Sequence, residues 1–133
     1  MAAPTRSCSS QRIRSAKEMF RQRGTEPTRI TATFSFPPLS PSNFRLRTEP
    51  GGGSLYDLGP YAVSCGRVFF GDRPTELLCR VHTRREPRGV DTSFSLLACY
   101  PRGRAMAGHF GFTTGYKNAL SLLVKGQAVF HKL

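Results

Sequence analysis

Between Gly51-Gly52-Gly53 and Gly71, apolar residues recur at Leu55, Leu58, Ala62, Cys65 and Phe69, alternately three and four positions apart. That period places them on one stripe of an α-helix over about 54–70. Asp57, Tyr61 and Ser64 fall on the shoulder of the stripe, about 100° from its axis. Pro60 inside the segment implies a kink or a late start, because its ring removes a backbone donor. Gly71 supplies the stop. The chain after Gly71 reads as a run of strands, so this amphipathic helix has to be covered by a sheet.

The alternation is clean over Arg29 to Phe36, where Ile30, Ala32, Phe34 and Phe36 share one face and Arg29, Thr31, Thr33 and Ser35 the other. Pro37-Pro38 ends this strand and opens a loop through Pro41 and Pro50 to the glycine run; structureless loops of this length are more often functional than not. Further strands are expected over 75–83, 92–100, 103–113 and 118–130, the last broken near Gly126. Pro101-Arg102-Gly103 reads as a hairpin connection. Residues 11–23 carry Ile13, Ala16 and Phe20 on a second, short helical stripe ended by Gly24, and residues 1–10 read as a disordered leader. The expectation is an α+β fold: a mainly antiparallel open sheet with one long helix packed on a face, preceded by a short N-terminal helix. Three segments follow: leader 1–10, helix and linker 11–28, and a sheet-bearing domain 29–133.

The chain is 133 residues long, enough for one domain with a real core. Its net charge of +12 invites a nucleic-acid or acidic-membrane partner. Seven of the twenty basic residues precede Ile30 and the others are scattered, with no zinc-finger spacing, basic heptads or RNA-recognition aromatics. No specific nucleic-acid partner and no membrane segment are expected. Cys8, Cys65, Cys79 and Cys99 lack C-x-x-C pairing and read as reduced thiols of a cytoplasmic protein. The Arg- and Ser-rich start also has the look of a mitochondrial transit peptide, against which Glu18 and Glu26 weigh. Cys65, Cys79 and His82 match no familiar metal spacing.

A carboxylate followed four residues later by a phenol shares a helix face to within about 40° and can form a proton-transfer pair. The simpler readings are that Asp57 caps the helix and that Tyr61 packs with its hydroxyl in water. Gly51 to Gly53 allow a tight entry to the helix, and their pattern is no phosphate-binding P-loop. His109 lies on a strand face with Ala105, Ala107, Gly111 and Thr113, where it either floors a pocket or is a satisfied structural histidine.

The run Gly51-Gly52-Gly53-Ser54-Leu55-Tyr56-Asp57-Leu58-Gly59-Pro60-Tyr61, then Arg67-Val68-Phe69-Phe70-Gly71 and Gly89-Val90-Asp91-Thr92-Ser93-Phe94, resembles the Gfo/Idh/MocA oxidoreductases, of the glucose–fructose oxidoreductase and dihydrodiol dehydrogenase kind. The resemblance runs from about Ala16 to Val124. It implies a partial C-terminal substrate domain of an NAD(P)-dependent enzyme acting on CH–OH groups of a sugar or diol. Tyr61 then matches the acid/base position, where many members carry histidine, and Asp57 the carboxylate that orients that group or touches the substrate. Arg45, Gly52, Gly53 and His109 are the substrate-binding candidates that go with them. Arg45 or Arg47 is the nearest source of a cation for the phenol. The G-x-G-x-x-G/A fingerprint and the Glu-Lys-Pro motif of the family are missing, so no NAD(P) is expected on this chain alone. The alternative is a non-catalytic interaction or oligomerisation module that self-associates through the open sheet face.

Overall fold

The computed structural model of the protein describes residues 5–86, 89–125 and 127–132, with side chains from residue 11 to 125. Helix α1 (Thr5–Arg23) leads into β1 (Arg29–Ser35), and a long loop then enters α2 (Ser54–Phe70). Five strands follow: β2 (Glu76–Arg84), β3 (Asp91–Tyr100), β4 (Arg104–Gly111), β5 (Lys117–Val124) and β6 (Gln127–Lys132). They form one six-stranded sheet in the order β2-β3-β4-β1-β5-β6. Every neighbouring pair is antiparallel except β1 and β4, which run parallel. That one parallel contact follows from the crossover: the chain leaves β1, passes along α2 and β2–β3, and returns beside β1 in the same direction. The architecture is the expected α+β fold.

The helix α1 begins at Thr5, so residues 5–10, expected in the leader, belong to it. They contain no Pro or Gly to interrupt a helix. Ala16 and Phe20 are buried, and Phe20 meets Phe69 of α2 edge to face with ring centres 6.5 Å apart. Gly24 ends α1 at φ 62°, the left-handed turn that the sequence signals.

The buried line of α2 is Ser54, Leu58, Ala62, Gly66 and Phe70. It is rotated from the expected stripe: Leu55 is exposed, and Cys65 and Phe69 are only partly buried. The cause lies across the interface. Tyr100, at the end of β3, seats its phenol against Gly66, where any Cβ would overlap it, and stacks tilted on Phe70 at 4.7 Å. The large ring fits only where the helix has no side chain.

The sheet also holds both ends of α2. At the N-terminus the Asp91 carboxylate accepts from the Ser54 hydroxyl and the Leu55 backbone N–H, both at 2.6 Å. At the C-terminus Arg104, almost fully buried, donates to the Phe70 carbonyl at 2.7 Å, pairs with Asp72 and lies over the Phe70 ring. An anion at the amino end and a cation at the carboxyl end complement the helix dipole. The residues that fix α2 are thus drawn from β3 and β4, which fixes where Asp57 and Tyr61 point.

Candidate functional site around the first two turns of helix α2

Asp57 lies in the first turn of α2 and Tyr61 one turn later, with Pro60 accommodated between them without ending the helix. The Asp57 carboxylate turns toward the preceding loop, where Arg45 Nε donates to it at 3.0 Å. Asn43 caps the short turn Phe44–Leu46 by accepting from the Arg45 N–H, and the Arg45 guanidinium also lies 4.6 Å from the centre of the Phe44 ring. Arg85 anchors the loop from the other side by donating to the Pro41 and Leu46 carbonyls. The ion pair is partly screened, with side-chain exposures of 32% and 24%, so it contributes about 1 kcal/mol or less to stability. Its larger effect is to present a neutralised carboxylate at the rim of the helix.

Tyr61 takes a different support. Its ring lies flat on Phe34 of β1, with centres 5.7 Å apart and planes 3° from parallel. Phe34 meets Phe36 edge to face, and Phe36 stacks on Phe112, so a row of four rings runs along the upper end of the sheet. The Tyr61 side chain stays half exposed with its hydroxyl free of any hydrogen bond to a described residue. No hydrogen bond joins it to Asp57 among the described residues, and Arg45 is committed to the carboxylate. The arrangement therefore sets the phenol by stacking, with the acid and its arginine beside it.

Gly52 and Gly53 have steric tasks. A Cβ on Gly52 would run into the Arg47 carbonyl, and Gly53 adopts φ 97° against the Asp91 carboxylate. They let the loop pass close enough for Asp91 to reach the helix N-terminus. Capping belongs to Asp91 and not to Asp57. Nothing local signals this, because the partners are 36 and 37 residues apart.

His109 is placed elsewhere. On β4 it alternates with buried Met106 and Phe110, which face α2, so it lies on the opposite face of the sheet from Asp57 and Tyr61. There Ser95 bridges it to His82, at 3.2 Å from His109 Nδ1 and 2.7 Å from His82 Nε2. Arg45, Asp57, Gly52, Gly53 and Tyr61 are gathered at one end of α2, and His109 is not among them.

Beside Tyr61 a cavity of about 400 Å³ opens between α1, α2 and the strands β1 and β5. Cys65 lies in its wall, and burial pushes its thiol from the ordinary 9.0 up to about 11. Sequence reasoning took Cys65 for part of the buried stripe and did not register Phe34 or Asn118 as neighbours of Tyr61. Both come from strands remote from α2 in the chain.

Comparison with known proteins fits this picture. A model of the GFO/IDH/MocA C-terminal domain matches residues 13–128. The dTDP-3,4-didehydro-2,6-dideoxy-α-D-glucose 3-reductase of Saccharopolyspora spinosa is 38% identical over 93 residues, covering 70% of this chain and 28% of the relative. Among solved structures, a point mutant of the 3-ketoreductase KijD10 from Actinomadura kijaniata, in complex with TDP-benzene and NADP, superposes with a TM-score of 0.71 at 19% identity. It is covered over 45% of its length by 90% of this chain. The aldose-aldose oxidoreductase of Caulobacter crescentus gives a TM-score of 0.70 at 18% identity, over 91% of this chain and 44% of that one. The two structural likenesses establish the fold. This chain spans less than half the length of each of these relatives. With its glycine–Asp–Tyr block on the first turns of α2 and a family match running from α1 into β6, the chain belongs to the GFO/IDH/MocA C-terminal domain family.

Proposed function

We propose that the chain is the substrate-handling part of a nicotinamide-dependent oxidoreductase that acts on a CH–OH or carbonyl group of a sugar or diol. The observation that carries this reading is the placement of Tyr61: a half-exposed phenol, fixed flat on Phe34, one turn after a carboxylate held by Arg45. Tyr61 exchanges a proton with the reacting oxygen, and Asp57 with Arg45 meets neighbouring hydroxyls of the substrate. The Tyr61 hydroxyl, bonded to no described residue, is free to donate to a carbonyl oxygen, which is the direction of ketone reduction. The curated relative is by name a 3-reductase of a keto-sugar nucleotide.

The described residues at the N-terminus of α2 do not fit a dinucleotide. A pyrophosphate needs free N–H groups at a helix N-terminus behind a glycine turn. In α2, Asp91 already takes the Leu55 N–H, and its carboxylate would repel a phosphate placed there. The hydride source has to be held outside these residues. The chain alone is expected to give no saturable signal on titration with NADPH. Fused to the nucleotide-binding half of the spinosa relative, it is expected to reduce a 3-keto-sugar nucleotide. A folded fusion that binds NADPH and the sugar yet reduces nothing would remove the proposal.

A second reading is favoured by the face of the sheet away from α2. Leu78, Leu97 and Leu123 are exposed there, with Leu78 and Leu97 directly paired across β2 and β3. Such a face suits self-association with a second copy. Light scattering that shows a monomer at all concentrations would discard it.

A further inference from the structure

We propose that the cavity beside Tyr61 is a binding site for an uncharged apolar ring carrying one hydroxyl or carbonyl group, with Asn118 as its polar anchor. This goes beyond the reaction proposed above and does not depend on it, because occupancy is read without turnover.

The lining sets the chemistry. Phe34 and Phe110 of the sheet and Val68 and Phe69 of α2 supply the walls of the roughly 400 Å³ space. That volume is in the range of small-molecule sites, which are mostly apolar with a few placed polar groups. Among the described residues no Lys, Arg, His, Asp or Glu lines it, although the chain as a whole carries +12. A charged ligand would lose its hydration there without gaining a counter-ion. A fully hydroxylated sugar would leave several hydroxyls against phenylalanine and valine, each costing the desolvation of an unpaired polar group. A ring of C–H surface suffers neither loss, and dry apolar cavities take up such rings readily.

Asn118 provides the second observation. It sits at the start of β5 in register with Phe34, and its side-chain amide makes no hydrogen bond to any described residue. The amide offers two donors and an acceptor to the cavity, enough to hold one hydroxyl or carbonyl in either sense. Ser64, the other hydroxyl on the helix wall, already donates to the Pro60 carbonyl at 2.6 Å. Tyr61 also lines the space, and its hydroxyl makes no hydrogen bond to any described residue. Thr33 also borders the space, but strand alternation puts its side chain on the face opposite Ala32 and Phe34, so among the described residues Asn118 is the unbonded amide offered to the chamber, and it selects a ring with one polar substituent.

The test is a fluorescence titration of the full chain with 2-naphthol at pH 7, excited beyond the protein's own absorption. Binding is expected to saturate at one site, and cyclohexanol is expected to displace the probe. Myo-inositol, the same ring with a hydroxyl on every carbon, is expected to leave it bound. Val68→Trp fills the chamber and should weaken binding at least about tenfold, the worth of some 60 Å² of apolar contact. Asn118→Leu should weaken it about fivefold, as for one lost hydrogen bond. It carries the test alone if the tryptophan unsettles the fold by circular dichroism. Binding that never saturates, that survives Asn118→Leu unchanged, or that inositol reverses as well as cyclohexanol does would overturn the assignment.

Discussion

The two faces of the sheet are built from the same strands yet have opposite fates. Toward the helices, Phe94, Met106, Phe110 and Leu122 are sealed, and aromatic rings pair between β3 and β4, between β3 and α2, and between β1 and α2. Away from them, the same strands present Leu78, Leu97, Ser95, His82 and His109 to the outside. The difference shows where chemistry can be fixed. A side chain at the rim of the covered face, such as Tyr61, inherits the rigidity of the core beneath it. A side chain on the bare face is held only by its neighbours on adjacent strands.

The largest expected effect breaks the covered face. Phe110→Ala removes a ring stacked on Phe94 and leaves a cavity, which should destabilise the fold by about 3–5 kcal/mol. Its denaturant midpoint, set beside wild type, reads the loss. Gly66→Ala is subtler, because alanine favours a helix by about 1 kcal/mol. The added methyl has to displace the buried Tyr100 ring, and overpacking of that kind costs about 1–3 kcal/mol. A net loss of stability is expected, and a gain would show that Tyr100 moves aside freely. Asp91→Ala takes the cap from α2 and should cost about 1–2 kcal/mol. If Asp57→Ala costs more, the capping roles have been exchanged. Leu97→Ser on the bare face should change stability by less than about 0.5 kcal/mol, while suppressing any self-association seen by light scattering.

Cys65 sharpens the comparison through pH. Below pH 9 its thiol is protonated whether the chain is folded or not, so the shift has no effect there. Between 9 and about 11 the unfolded chain ionises first, and stability falls as pH rises. Cys65→Val should flatten part of that decline in urea titrations at pH 8 and pH 10. At neutral pH, exposed Cys79 should react with iodoacetamide well before Cys65.

The elements were legible in the sequence where a single period governs them. Alternation marked β1, and the spacing of three and four marked α2 to within a residue of its bounds. What escaped depends on partners distant in the chain. The rotation of the α2 stripe onto Gly66 needs Tyr100, and the N-terminal cap needs Asp91. The buried cation Arg104 satisfies carbonyls that no local pattern reveals. β2 reads as alternating but is exposed along nearly its whole length, because it is an edge strand that α2 does not cover. That an acid and a phenol lie one turn apart on α2 was readable. Their separate supports, Arg45 for one and Phe34 for the other, were not. His109 shares its face with small residues, which reads as the floor of a pocket until the register places that face outside.

The most direct measurement sets the two faces against each other in the fused enzyme described above. Turnover of the keto-sugar is compared for Tyr61→Phe, at the rim of the covered face, and His109→Ala, on the bare one. The account predicts that losing the phenol hydroxyl lowers kcat by about a hundredfold or more, as for removal of a general acid, with the histidine variant within about twofold of wild type. A histidine variant that stalls while Tyr61→Phe turns over normally would contradict it and move the chemistry to the other side of the sheet.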